Sequence, residues 1–406
     1  MQRRHDIDAL RVIAFCLLIL YHVGMVYVAD WGYHIKSSYQ AEWLQWPMIA
    51  LNRWRMPLLF MISGIAIGLS RPERAPWRFA LLRSWRLQLP LVFGMFVIVP
   101  VQAYCEGVAN GHVTPGFGAF LLRYWQVRPW PEGSFSGWEH GITWNHLWYL
   151  SYLWIYTMLL AVLIALLPHE LASRWRLAFH RSWQRWLLIL LPIAWLAMCL
   201  LVLKPRFPET HALFGDWTVH AESLPLFLFG YAVANRQEFW QRIEGWRWFT
   251  LVAALACLSL ELGLRAAGRY SSWDEIPAAL LHVPWSAIER LARAAYTWTA
   301  LLAIFGWGRI LLNRPFRWLP YATEAVYPWY ILHQSLIVPI AFWLIPLRLG
   351  SAWEPLLVIL GTMAGCLLLH EFAIRRTNLL RPLFGLKGKN RSTTKGVAAV
   401  ETQVPG

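Results

Sequence analysis

Ten stretches of the chain are almost purely apolar, at about 8–29, 43–70, 80–103, 142–167, 185–203, 222–235, 248–265, 288–311, 322–346 and 352–374. About 20 helical residues cross the hydrocarbon core of a bilayer. The pattern therefore predicts an all-α, polytopic integral membrane protein with about ten transmembrane helices and short connections. The run at 222–235 is the shortest. The first run is too long for a signal peptide, carries Arg11 and His22, and is followed by no small-x-small cleavage pattern, so it reads as a retained helix. The segment 104–141, rich in Gly, Pro and aromatics, is the expected lid or acceptor-recognition loop. The layout predicted is one membrane-embedded unit over 1–385 and a disordered polar tail over 386–406.

Composition supports this reading. Of the 406 residues, 58% are hydrophobic, 15% are charged and 28 are Trp. An average soluble domain carries about 25% charge, so a soluble or disordered chain is excluded. The formal charge of +15 would suggest nucleic acid in a soluble protein. Here Lys and Arg fall in alternate loops with a bias of about three to one, which is the positive-inside pattern with both termini cytoplasmic. No nucleic-acid partner is expected. Five cysteines without a CxxC spacing read as packing residues.

Charge inside hydrocarbon is costly, so intramembrane Arg and His are functional candidates by default. Arg11 and His22 are eleven residues apart, three turns plus about 20°, and share one helix face about 16 Å apart. Asp8, three residues before Arg11, is placed to pair with it. Snorkelling by the arginine and packing of the imidazole would explain either residue alone. Arg53 and Arg55 lie about 200° apart around the second helix, so one of the two is expected to be structural. Ser63-Gly64 offers either a close backbone approach to a ligand or a small-residue helix contact. Arg83 and Arg86 share a face at a helix start, where they serve as positive-inside anchors or as a phosphate clamp. His146 sits with Trp148 in an aromatic belt that also suits sugar stacking. His333 is buried in the ninth run, with Glu324 nine residues earlier and only loosely on its face. No phosphate loop, nucleophile elbow or recurring metal-ligand spacing is present.

Taken in order, these segments resemble the membrane acyltransferase-3 family. Arg11-x10-His22 is similar to its R-x10-H signature, and RMPLLFMISG at 55–64 resembles its FRMPLFFxxSG segment. Arg83-x-x-Arg86 resembles its RxxR motif, and His146-Leu147-Trp148-Tyr149-Leu150 its HLWFL stretch. Tyr330-Ile331-Leu332-His333 resembles its YxxH segment, and HEFAIRRTNLLRPLFG resembles its last helix and tail. The landmarks cover about residues 8–385.

The resemblance implies a multi-pass enzyme of a bacterial inner membrane. Acyl-CoA would be a cytoplasmic co-substrate, with no permanently bound cofactor or metal. The acceptor would be a carbohydrate hydroxyl on the outer side. The pattern is most similar to a subgroup that succinylates osmoregulated periplasmic glucans, and it shares residues with O-acetyltransferases of surface polysaccharides. By the same resemblance, Arg83, Arg86, Arg55 and Ser63 serve the donor, and Arg11, oriented by Asp8, lines the donor mouth. His22 acts as general base or as a transient acyl carrier. His146, Trp148, His333 and Glu324 serve the acceptor side or the oxyanion, a role also open to Arg55. An anionic donor such as succinyl-CoA calls for a further deep cation, from Arg53 or Arg55. The rival of another class is a secondary transporter, which would carry mid-membrane carboxylates and inverted repeats.

Overall fold

The computed structural model describes residues 4–167, 186–270 and 282–388, and among these the regular structure is helical, with one isolated bridge between Val28 and Ala41. The helices are α1 (His5–Tyr27), α2 (Gln45–Leu69), α3 (Pro76–Phe93), α4 (Pro100–Ala109), α5 (Phe117–Tyr124), α6 (Trp148–Leu166) and α7 (Leu187–Met198). They continue with α8 (Trp217–Val233), α9 (Gln237–Gly245), α10 (Arg247–Tyr270), α11 (Trp285–Leu311), α12 (Leu319–Leu344), α13 (Trp353–Leu368) and the short α14 (Leu380–Leu383). A π turn over Gly94–Ile98 carries α3 into α4, between Pro90 and Pro100, where missing N–H groups loosen the ladder.

Each of the ten apolar runs folds as helix. Among the described residues, six stretches are long and apolar enough to cross a membrane: His5–Tyr27, Pro76–Ala109, Asn145–Leu166, Arg247–Arg269, Leu319–Leu347 and Trp353–Ile374. α2 and α11 are as long, but polar residues dilute them. Those of α2 turn into the bundle, where Arg53 pairs with Glu261 of α10 and Arg55 is buried. The predicted tail reaches beyond the described residues, which end at 388.

One large apolar core joins α1, α2, α3, α6, α8, α11 and α12. α2 and α8 run side by side at backbone contact. A Cβ on Gly64 would stand 2.0 Å from the Phe227 carbonyl oxygen, and one on Gly230 would stand 2.2 Å from that of Met61. In lipid, where no hydrophobic drive pulls helices together, small residues permit this approach. Gly64 is therefore a packing residue. The segment 104–141 folds around an apolar cluster in which its Val113, Phe120, Tyr124, Trp130 and Phe135 pack with Ala103 of α4. It lies at the end of the bundle where α1 finishes, called here the far end. The near end holds the start of α1.

Candidate active site

A cavity of 1020 Å³ opens into the far end of the bundle. α1 contributes Tyr21 and His22, α2 contributes Asn52 and Arg55, α6 contributes Trp148 and Tyr149, and α12 contributes Tyr330 and Gln334. Loop residues 136–145 and 209–214 complete the wall. Asp216 ties the second loop down, accepting Tyr152 Oη at 2.6 Å and the His211 N–H at 3.0 Å. His211 stacks on Trp148 at 4.2 Å between ring centres, and burial holds its imidazole below the ordinary value. Burial alone would raise Glu209, but Lys204 at 2.6 Å outweighs it and keeps this carboxylate below its usual range.

The hydrogen-bond network assigns the tautomers of the imidazoles. His333 Nδ1 lies 2.7 Å from the Tyr330 carbonyl, which can only accept, so Nδ1 carries the proton. In the neutral ring Nε2 is then an acceptor, and it lies 2.9 Å from His22 Nδ1. His22 therefore donates from Nδ1 and keeps a lone pair on Nε2, which has no protein partner among the described residues. His146 is closed by the same logic. Its Nε2 donates to the Ile331 carbonyl at 3.1 Å, and its Nδ1 accepts from Gln102 at 3.3 Å. A fourth imidazole, His34, donates from Nδ1 to Glu106 at 2.5 Å and accepts from Gln334 at 2.7 Å. Of these four rings, His22 alone presents an open nitrogen. His333 holds the His22 ring through that hydrogen bond.

Both arginines of α2 line the cavity, but their partners differ. Arg53 meets Glu261 at 2.7 Å, a structural pair in which both side chains are buried. Arg55 lines the cavity with its guanidinium 3.7 Å over the Tyr21 ring and Nη2 3.4 Å from Asn52 Oδ1.

The remaining candidates lie towards the near end. Arg11 holds Asp8 at 3.0 Å, as their spacing predicts. Arg83 and Arg86 have no carboxylate partner among the described residues, and Arg11 lies within electrostatic reach of Arg83. Tyr149 stands between the two groups. It lines the cavity, donates to the Leu59 carbonyl at 3.1 Å, and bonds Ser63 Oγ at 2.7 Å. Ser63 is thus engaged in helix packing. Arg55 lies apart from Arg83 and Arg86, in the far cavity with His22. Glu324 does not join the acceptor side. It pairs with Arg381 at 3.1 Å and Arg375 at 3.6 Å, because nine residues along α12 carry it about 13 Å from His333.

Sequence reading missed Tyr21, Asn52, Gln102, His34, Glu106 and Gln334. The signal available for Asn52 and Gln102 was an uncharged amide inside an apolar run, which costs a bilayer less than an ion but still requires a partner.

A polar cavity with an open imidazole nitrogen on His22, set among long apolar helices, is the mark of a multi-pass membrane protein with an internal pocket. The chain matches the acyltransferase domain family over residues 4–371, and it belongs to that family of membrane acyltransferases. Neither a curated protein nor a solved structure gives a match to the chain.

Proposed function

We propose that the protein transfers an acyl group from cytoplasmic acyl-CoA to a carbohydrate hydroxyl on the outer face of a bacterial inner membrane. In this reading the near end is cytoplasmic, all ten helical runs cross the bilayer, and both termini lie inside. The observation that carries the reading is the His22–His333–Tyr330 chain in the cavity wall, which leaves His22 Nε2 unprotonated.

Nε2 takes the proton of the acceptor hydroxyl as its oxygen attacks the thioester carbon. The C–S bond then breaks, and the imidazolium returns the proton to the departing thiolate, so one ester and one thiol form. His333 holds the ring in the required tautomer and stabilises the cation formed in passing, as an orienting group does in other base-assisted acyl transfers. Arg83 and Arg86, with Arg11 near them, are unpaired with carboxylates or half-exposed, and suit the phosphates of the donor. The acyl arm would then run along α1 past Tyr149 to His22. Trp144, Trp148 and His211 supply flat faces for sugar rings.

The resemblance to the glucan biosynthesis protein C subgroup favours succinylation of an osmoregulated periplasmic glucan. Mass spectrometry of periplasmic and surface glycans, with and without the chain, tests this. Loss of one ester mass is expected, and that mass names the group. A loss of acetyl ester would move the reading to polysaccharide O-acetylation. Unchanged glycans would overturn it.

A further inference from the structure

Arg55 is only 5% exposed, yet its Nε and Nη1 are buried without a protein partner. Glu139, Glu209 and Glu222 line the same cavity, but no carboxylate forms an ion pair with Arg55 among the described residues. Glu209 pairs with Lys204 and lies 3.8 Å from Arg293, and Glu106 takes His34. Glu222 lies within electrostatic reach of Arg293 and Arg53. A buried cation with no counter-ion is costly to hold inside a helix bundle. Tyr21 covers one face of the guanidinium and Asn52 holds one corner, which fixes the plane of the fork while Nε and Nη1 stay buried and unpaired in a side chain of the cavity wall. A fixed planar fork with free N–H groups is the geometry that receives a carboxylate through two parallel hydrogen bonds. Tyr21 is also the neighbour of His22 in α1, with 5.8 Å between the ring centres, so this fork stands beside the open imidazole.

We infer that Arg55, oriented by Tyr21 and Asn52, binds the free carboxylate of a dicarboxylic acyl group and thereby selects which acyl chain is transferred. This rests on the acyl-transfer reading above. Of the reactants in that reading, the glycan hydroxyl and the thioester carbonyl are neutral, and the donor phosphates belong with Arg83 and Arg86. The distal end of the acyl chain is the anion left for Arg55.

The rival role is stabilisation of the tetrahedral oxyanion, and the two separate in a competition assay. The full-length protein in proteoliposomes receives equimolar succinyl-CoA and butyryl-CoA, with glucan isolated from cells lacking the chain as acceptor. Wild type is expected to prefer succinyl. Arg55→Met should lower the succinyl-to-butyryl ratio by about 100-fold, the scale of removing one partner of a buried charge pair. Arg55→Lys keeps the charge without the fork and should lower the ratio by about 10-fold; it carries the test if the Met variant fails to fold in a detergent melt. Free succinate should inhibit wild type competitively, and neither Arg55→Met nor butyrate should reproduce that inhibition. Equal losses with both donors would assign Arg55 to the oxyanion and overturn the inference, as would a wild-type preference for butyryl. Transfer from neither donor would instead sink the acyl-transfer reading, and the inference with it.

Discussion

The two ends of α1 treat charge in opposite ways. At the near end Arg11 and Asp8 are 30% and 19% exposed, and Arg375, Arg381 and Glu324 form a loose network reached by solvent. Such groups keep much of their hydration, so their pairing contributes little and an unpaired member costs little. At the far end the polar groups are buried, and hydrogen bonds commit both ring nitrogens of His34, His146 and His333. There an unsatisfied donor or acceptor carries its full desolvation cost. Several buried atoms there stay unpartnered, among them Tyr33 Oη, Glu222 Oε1, Gln334 Oε1 and Arg55 Nε and Nη1, and they mark where the cavity wall still has hydrogen-bonding capacity for a ligand. The near end has its own buried exceptions in Arg11 Nε and both ring nitrogens of His370.

Four changes would break or sharpen this contrast. His22→Ala should cut acyl transfer at least about 1000-fold, within the range for a lost general base, while the detergent melting curve stays in place. A folded variant that retains transfer would remove His22 from the chemistry. Arg53→Leu should act on stability instead, leaving buried Glu261 with only the longer 3.5 Å contact to Arg265, at a cost of about 3 kcal/mol. Adding Glu261→Leu should recover most of that loss in the same thermal assay, and a neutral single substitution would show that the pair is not structural.

His333→Leu should lower kcat by about 100-fold with the donor KM unchanged, as for other groups that only orient a base. His333→Gln can still accept from His22 Nδ1 and should restore part of the rate. An unaltered pH–rate profile in both variants would reduce His333 to packing. The smallest effect is expected at the exposed end. Arg83→Ala with Arg86→Ala should raise the donor KM about tenfold and weaken its salt dependence, since solvated phosphate contacts are screened. A shift confined to the acceptor KM would contradict the donor assignment.

Much of the site was legible before the fold was known, because it depends on helical periodicity. Arg11 and His22 share a face by arithmetic, Asp8 reaches Arg11 at i,i+3, and the Arg53–Arg55 spacing sends two cations in different directions. The same arithmetic misplaced Glu324, whose loose angular match to His333 hid an axial separation that takes it into the near-end network. It left the role of Arg55 open between donor, oxyanion and deep cation, since nothing along α2 says which neighbouring helices it will face.

The sequence alone determined where the apolar helices lie and which ionisable residues they bury, because hydrocarbon length and the 3.6-residue turn act over short stretches of chain. The tertiary structure decided what those residues do. His22 meets His333 across 311 positions and Arg53 meets Glu261 across 208, while Arg55 in the same helix keeps Nε and Nη1 unpaired. Hydrogen-bond partners, tautomers and leftover valences depend on which faces of packed helices meet, and close packing within the bundle fixes that choice.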